Sequence, residues 1–136
     1  MSTVNVKWTE DMAFDAELQG FNIKIDADEK VGGKNRGPRP KPFLLLSAGG
    51  CTGMDVVSIL KKMRVEFDGF NVEVSGELTD EHPRIYHTIH MKYTFKGNNL
   101  PMDKLEKAVN LSQERYCGVS AMLSKAAKIT HEIVVE

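Results

Sequence analysis

An α+β fold, with a largely antiparallel sheet and one long central helix, is what this sequence predicts, on three observations. Apolar residues alternate with polar ones near both ends of the chain, the signature of half-buried strands. Between them, Phe43 through Arg64 runs without a proline and places Ala48, Thr52, Val56, Ile59, Leu60 and Met63 at helical spacing. The order of elements is three strands, a helix, two strands, a helix pair and a strand, unlike the regular alternation of a doubly wound parallel sheet.

Each element has its own local reason. Val4, Val6 and Trp8, then Met12, Phe14, Ala16 and Leu18, then Phe21, Ile23 and Ile25 predict three short strands in succession, with Gly20 at the second turn. From Asp28 to Pro40 the glycines and prolines interrupt both periods, predicting a long loop that is basic at its end. Pro42 suits the first turn of the central helix. Gly49, Gly50 and Gly53 inside that helix each cost about 1 kcal/mol relative to alanine, which argues for close backbone packing or for access to Cys51. Phe70, Val72, Val74 and Leu78 predict the next strand. Arg84 to Lys96 predicts another, with Ile85, His87, Ile89, Met91, Tyr93 and Phe95 on one face. Pro101 can open a second helix that stops near Cys117-Gly118; a short helix and a strand ending at Glu136 complete the chain.

The 136 residues, 41% hydrophobic and 27% charged, fit a single domain over 1–136. A net charge of −1 gives no pull toward phosphate backbones or anionic lipid, so no nucleic-acid partner is expected. The N-terminus lacks the layout of a signal peptide, and the longest apolar run, Phe43 to Leu46, is short; no membrane role is expected, and the expected setting is cytoplasmic. In that reducing compartment Cys51 and Cys117 read as free thiols, part of a metal site or a transient redox couple. Free cysteine is also a common small core residue.

Other motifs carry less. His87 and His90 are three apart on a strand and point to opposite faces, and His82 and His131 have no spaced partners, so no metal is expected. His87, interrupting an apolar face, reads as a satisfied core or interface histidine. Gly32-Gly33-Lys34-Asn35-Arg36-Gly37 has neither phosphate-loop nor dinucleotide spacing, and no cofactor is expected. Cys117, near a helix start, is favoured as a thiolate by the helix dipole, whereas Cys51 lies mid-helix and needs a cation from Arg36, Arg39, Lys41 or Arg115.

The run Gly37 to Val56, containing Pro38-Arg39-Pro40 and Ser47-Ala48-Gly49-Gly50-Cys51-Thr52-Gly53, resembles the segment around the first cysteine of the OsmC/Ohr family (osmotically inducible protein C and organic hydroperoxide resistance). Tyr116-Cys117-Gly118-Val119-Ser120 resembles the segment around its second cysteine, and the order of elements matches along essentially the whole chain.

That resemblance implies an OsmC-like intertwined homodimer and a thiol peroxidase for small hydroperoxides in oxidative-stress defence; an interface pocket lined by apolar residues such as Leu45, Met54 and Phe43 would favour organic ones. Cys51 would attack the O–O bond and become a sulfenic acid; Cys117 would resolve it as a disulfide, and an external dithiol reductant would close the cycle. The family also places an arginine in the loop before the central helix to hold the thiolate, with Arg39 ranked ahead of Arg36 here. The family's orienting glutamate stands where this chain has Pro42, and Glu114 beside Arg115 is the substitute in view. Two alternatives stay open: a non-enzymatic binding protein for an apolar ligand, and a redox sensor.

Overall fold

The computed structural model describes all 136 residues, which form two compact units, Met1–Leu44 and Leu45–Glu136.

In the first unit, β1 (Asn5–Glu10), β2 (Ala13–Leu18) and β3 (Phe21–Ile25) form an antiparallel three-stranded sheet in chain order. The β2–β3 turn closes on Leu18 and Phe21, with Gln19 at φ 52° and Gly20 at φ 84°. Two consecutive positive φ values match the right-handed strand twist, and glycine supplies the second without strain. The segment that follows is better ordered than its composition suggests. Asp28 caps a single 3-10 turn, Glu29–Val31, by accepting from the Lys30 N–H at 2.9 Å. Asp26, 2% exposed, gathers the rest: its carboxylate accepts from the backbone N–H groups of Ala27 (2.7 Å), Lys34 (3.2 Å) and Arg36 (3.1 Å). A buried carboxylate with several donors can hold a loop that has no regular ladder of its own.

The helix α1 (Phe43–Lys62) begins at the end of the first unit and runs through the second. In the second unit β4 (Gly69–Leu78) and β5 (Tyr86–Lys96) pair antiparallel, and β6 (Lys128–Val135) adds to β5 in parallel. Three of the four strand pairings are thus antiparallel, as expected. The parallel one follows from its connection, since α2 (Met102–Leu111), a π-helical turn (Ser112–Tyr116) and α3 (Gly118–Leu123) carry the chain back before β6 starts.

The core of this unit is where the sequence pattern places it. Ile89, Met91, Tyr93 and Phe95 of β5 are fully buried against Ala48, Val56 and Leu60 of α1 and Leu105, Ala108 and Val109 of α2. By length and composition alone α1 could cross a membrane. One stripe of it, Ala48, Thr52, Val56 and Leu60, is buried.

Two of the α1 glycines explain themselves here. A Cβ on Gly49 would stand 3.1 Å from a Val74 methyl, and one on Gly53 would stand 3.7 Å from a Val72 methyl, so α1 approaches β4 along its glycine edge. Gly50 has nothing within 4 Å of that position. The expected placement of His87 in the core of this face is corrected: the β4–β5 register skips it, pairing Glu77 with Thr88 but Leu78 with Tyr86. This bulge lets Tyr86 pack on the core and leaves His87 exposed, its ring nitrogen 2.9 Å from the Thr88 hydroxyl.

Candidate functional site

The second unit brings Cys51 and Cys117 together. One ligand atom from each of Cys51, Asp55 and Cys117 lies within 4.8 Å of the other two, and both cysteines are free thiols. Cys51 and Asp55 are four apart in α1 and therefore share a helix face. Cys117 arrives between the π-helical turn and α3. Its N–H donates to the Ser112 carbonyl at 2.8 Å, the wide bond of the π-helical turn that ends at Tyr116. The widened turn carries Ser112 and Gln113 to α1 just before the chain reaches the sulfur.

Below the sulfurs lies a buried polar network. The Ser112 hydroxyl donates to Asp55 Oδ2 at 2.9 Å and sits 2.8 Å from the Thr52 hydroxyl, which is 2.7 Å from the Tyr93 hydroxyl. Because the Ser112 proton is committed to the carboxylate, Thr52 donates to Ser112 and Tyr93 donates to Thr52. Gln113 Nε2 then donates to the Tyr93 oxygen at 2.7 Å. Thr52, Tyr93 and Ser112 are fully buried, so this chain of donors supplies polar partners that water does not. Burial also raises the Tyr93 pKa, keeping that phenol protonated.

The two sulfurs differ. Cys51 is half-buried, whereas Cys117 is 3% exposed and caps α3, its Sγ accepting from the Ser120 N–H at 3.4 Å. The expectation that the helix start favours the Cys117 thiolate is corrected. Desolvation raises the Cys117 pKa; donors on Ser120 oppose the rise, and the nearby Cys51 adds to it. Cys51 is therefore the more accessible of the two sulfurs, and Cys117 the more deeply buried.

The other expected site residues have the following partners within their own units. Arg36 and Arg39 belong to the first unit. All three Arg36 guanidinium nitrogens have carboxylate partners there: Asp26 at 2.7 Å, Glu10 at 2.9 Å and Asp11 at 3.3 Å. Arg39 donates to the Gly37 carbonyl at 2.9 Å and lies 3.7 Å from Asp28. Glu114 is exposed and makes no ion pair, while Arg115 stands 5.7 Å over the Tyr116 ring. Pro42 directly precedes α1 and brings no carboxylate. The carboxylate beside the sulfurs is Asp55, which went unnoticed in the sequence although its four-residue offset from Cys51 on a helix was the available signal.

An α+β protein with two free thiols gathered between a central helix and a helical crossover is a thiol-bearing fold of a recognisable class. The family model for OsmC-like protein matches residues 32–132, and the chain belongs to that family. Over 131 residues it is 37% identical to protein YhfA of Escherichia coli K12, covering 96% of this chain and 95% of the relative. A hypothetical protein from Aquifex aeolicus VF5 is similar in structure at TM-score 0.84, with 33% identity over 100% of this chain and 98% of the other. An organic hydroperoxide resistance protein OsmC from Legionella pneumophila shares the fold at TM-score 0.72 and 10% identity, with 98% of each chain covered.

Proposed function

We propose that this protein is a two-thiol hydroperoxide reductase. The observation that carries the reading is the approach of the Cys51 and Cys117 sulfurs to within 4.8 Å. A disulfide needs about 2.05 Å, so the two sulfurs start near each other and must still move together to bond.

The reaction divides by exposure. The Cys51 thiolate attacks one peroxide oxygen and the O–O bond breaks; the other oxygen leaves as an alcohol after taking a proton from water, and Cys51 becomes a sulfenic acid. The Cys117 sulfur then attacks the Cys51 sulfur, the S–O bond breaks and water departs, leaving a disulfide. Two electrons and two protons from an external dithiol restore both thiols. In this reading the protein acts as a homodimer in the cytoplasm, against oxidative stress, and needs neither nucleic acid nor membrane.

The test is steady-state consumption of cumene hydroperoxide with dithiothreitol as reductant. Turnover should vanish in Cys51→Ser, and mass spectrometry of peroxide-treated wild type should find the Cys51–Cys117 bridge. Unchanged turnover in Cys51→Ser overturns the reading.

A second reading has one observation in its favour. An apolar groove of about 670 Å³ runs beside α1, lined by residues including Gly50, Gly53, Met54, Phe70 and Val72. Such a groove suits an apolar ligand held without chemistry. Retention of a fluorescent fatty acid by the Cys51→Ser, Cys117→Ser double variant, with no peroxide turnover in wild type, would favour it.

A further inference from the structure

We propose that Cys51, Asp55 and Cys117 form a binding site for one thiophilic divalent cation of the zinc class, with water in the fourth position. The site is independent of the peroxidase reading, because it asks only that the reduced protein present these donors.

Three features argue for it. The donor set is two thiols and one carboxylate, all within 4.8 Å of one another. Tetrahedral zinc holds sulfur at about 2.3 Å and oxygen at about 2.0 Å, which separates its donors by roughly 3.5 to 3.8 Å. Small rotations close that gap. Next, the donors are mounted on fixed backbone: Cys51 and Asp55 share a face of α1, and the Cys117 N–H is tied to the Ser112 carbonyl at 2.8 Å. Third, Asp55 is a half-buried carboxylate with no ion-pair partner, and the Ser112 hydroxyl holds its Oδ2 at 2.9 Å. An outer donor on a ligating carboxylate is what orients such ligands in metal sites. Cys51 and Asp55 are only half-buried, so two of the three donors are reachable from solvent.

Binding releases the two thiol protons to solvent and replaces them with the ion; the third bond is to the carboxylate, and no electrons move. The same two sulfurs cannot hold the ion and bond to each other. Oxidation therefore expels the metal, and a bound ion shields both thiols from oxidants.

The experiment titrates the reduced full-length protein with Zn²⁺ against a chromophoric chelator, and with Co²⁺ while recording near-ultraviolet thiolate-to-cobalt absorption. One ion per chain is expected, with the cobalt band present. Asp55→Asn should weaken zinc binding at least about tenfold, and Cys51→Ser, Cys117→Ser should abolish the band. Wild type oxidised to its internal disulfide has an unchanged sequence and should also fail to bind. The proposal is overturned by absence of stoichiometric binding to reduced wild type. It is equally overturned by binding that survives the two cysteine substitutions, or by an affinity that Asp55→Asn leaves unchanged. These readouts do not depend on peroxide turnover.

Discussion

Ser112 and Asp55, 57 residues apart in the chain, are joined by a 2.9 Å hydrogen bond that ties the π-helical turn before Cys117 to the helix that carries Cys51. The bond fixes where the second sulfur arrives. Ser112→Ala should therefore do two things. It leaves the buried Thr52 hydroxyl without its acceptor, and it frees the Asp55 carboxylate. An unsatisfied buried polar group costs about 1–3 kcal/mol, and urea unfolding should show a loss of that size. An unchanged urea midpoint would show that the network contributes nothing to stability.

Exposure should order the reactivity of the two thiols. Cys117 is 3% exposed and its pKa is raised by burial, while Cys51 is half-buried. With limiting iodoacetamide at neutral pH, peptide mapping should find Cys51 labelled at least about tenfold faster, because access favours it and burial holds Cys117 in its thiol form. Equal labelling in the folded protein would contradict the assignment of an outer and an inner sulfur.

How far the site could be read from the sequence depends on which residues are asked about. The strands and α1 were legible because binary patterning survives in them, from Ile89 to Phe95 and from Ala48 to Leu60. The two cysteines were legible because of the glycine-rich and Cys-Gly contexts around them. Thr52, Ser112 and Gln113 were not. Each is an ordinary polar residue whose role comes from a crossover joining segments about 60 positions apart. The partner of Arg36 was not legible either: nothing in Asn35-Arg36-Gly37 signals that Asp26, ten residues earlier, will accept from its guanidinium. His87 was misplaced because a single skipped residue in the ladder reverses the alternation on which the strand pattern rests.

The glycines of α1 divide into two kinds with opposite expected outcomes. Gly50→Ala adds a methyl where nothing lies within 4 Å and should stabilise the protein by up to about 1 kcal/mol through helix propensity. Gly49→Leu drives a side chain into Val74, whose methyl already stands 3.1 Å from the Cβ position. Overpacking of this kind should destabilise by about 1–3 kcal/mol. Thermal melts of the two variants, side by side, check the contrast; equal stability would mean that α1 does not rest on β4 through Gly49.

The pH dependence of the first unit should be set by Asp26. The Arg36 guanidinium, followed by the backbone N–H groups of Ala27, Arg36 and Lys34, holds this carboxyl well below the usual carboxylate range against the opposing effect of burial. A depressed folded pKa means that the unfolded chain binds the proton first. The stabilisation is therefore complete above the unfolded value of about 3.9 and is lost as pH falls below it. Asp26→Asn removes the charge at every pH, so it should melt below wild type at pH 7. The difference should shrink steadily as pH falls from 4 toward 2, because wild type is losing the interaction that the variant never had. Scanning calorimetry over that range reads the outcome. A gap between the two proteins that stays constant down to pH 2 would mean that the Asp26–Arg36 pair does not control the acid sensitivity of this loop.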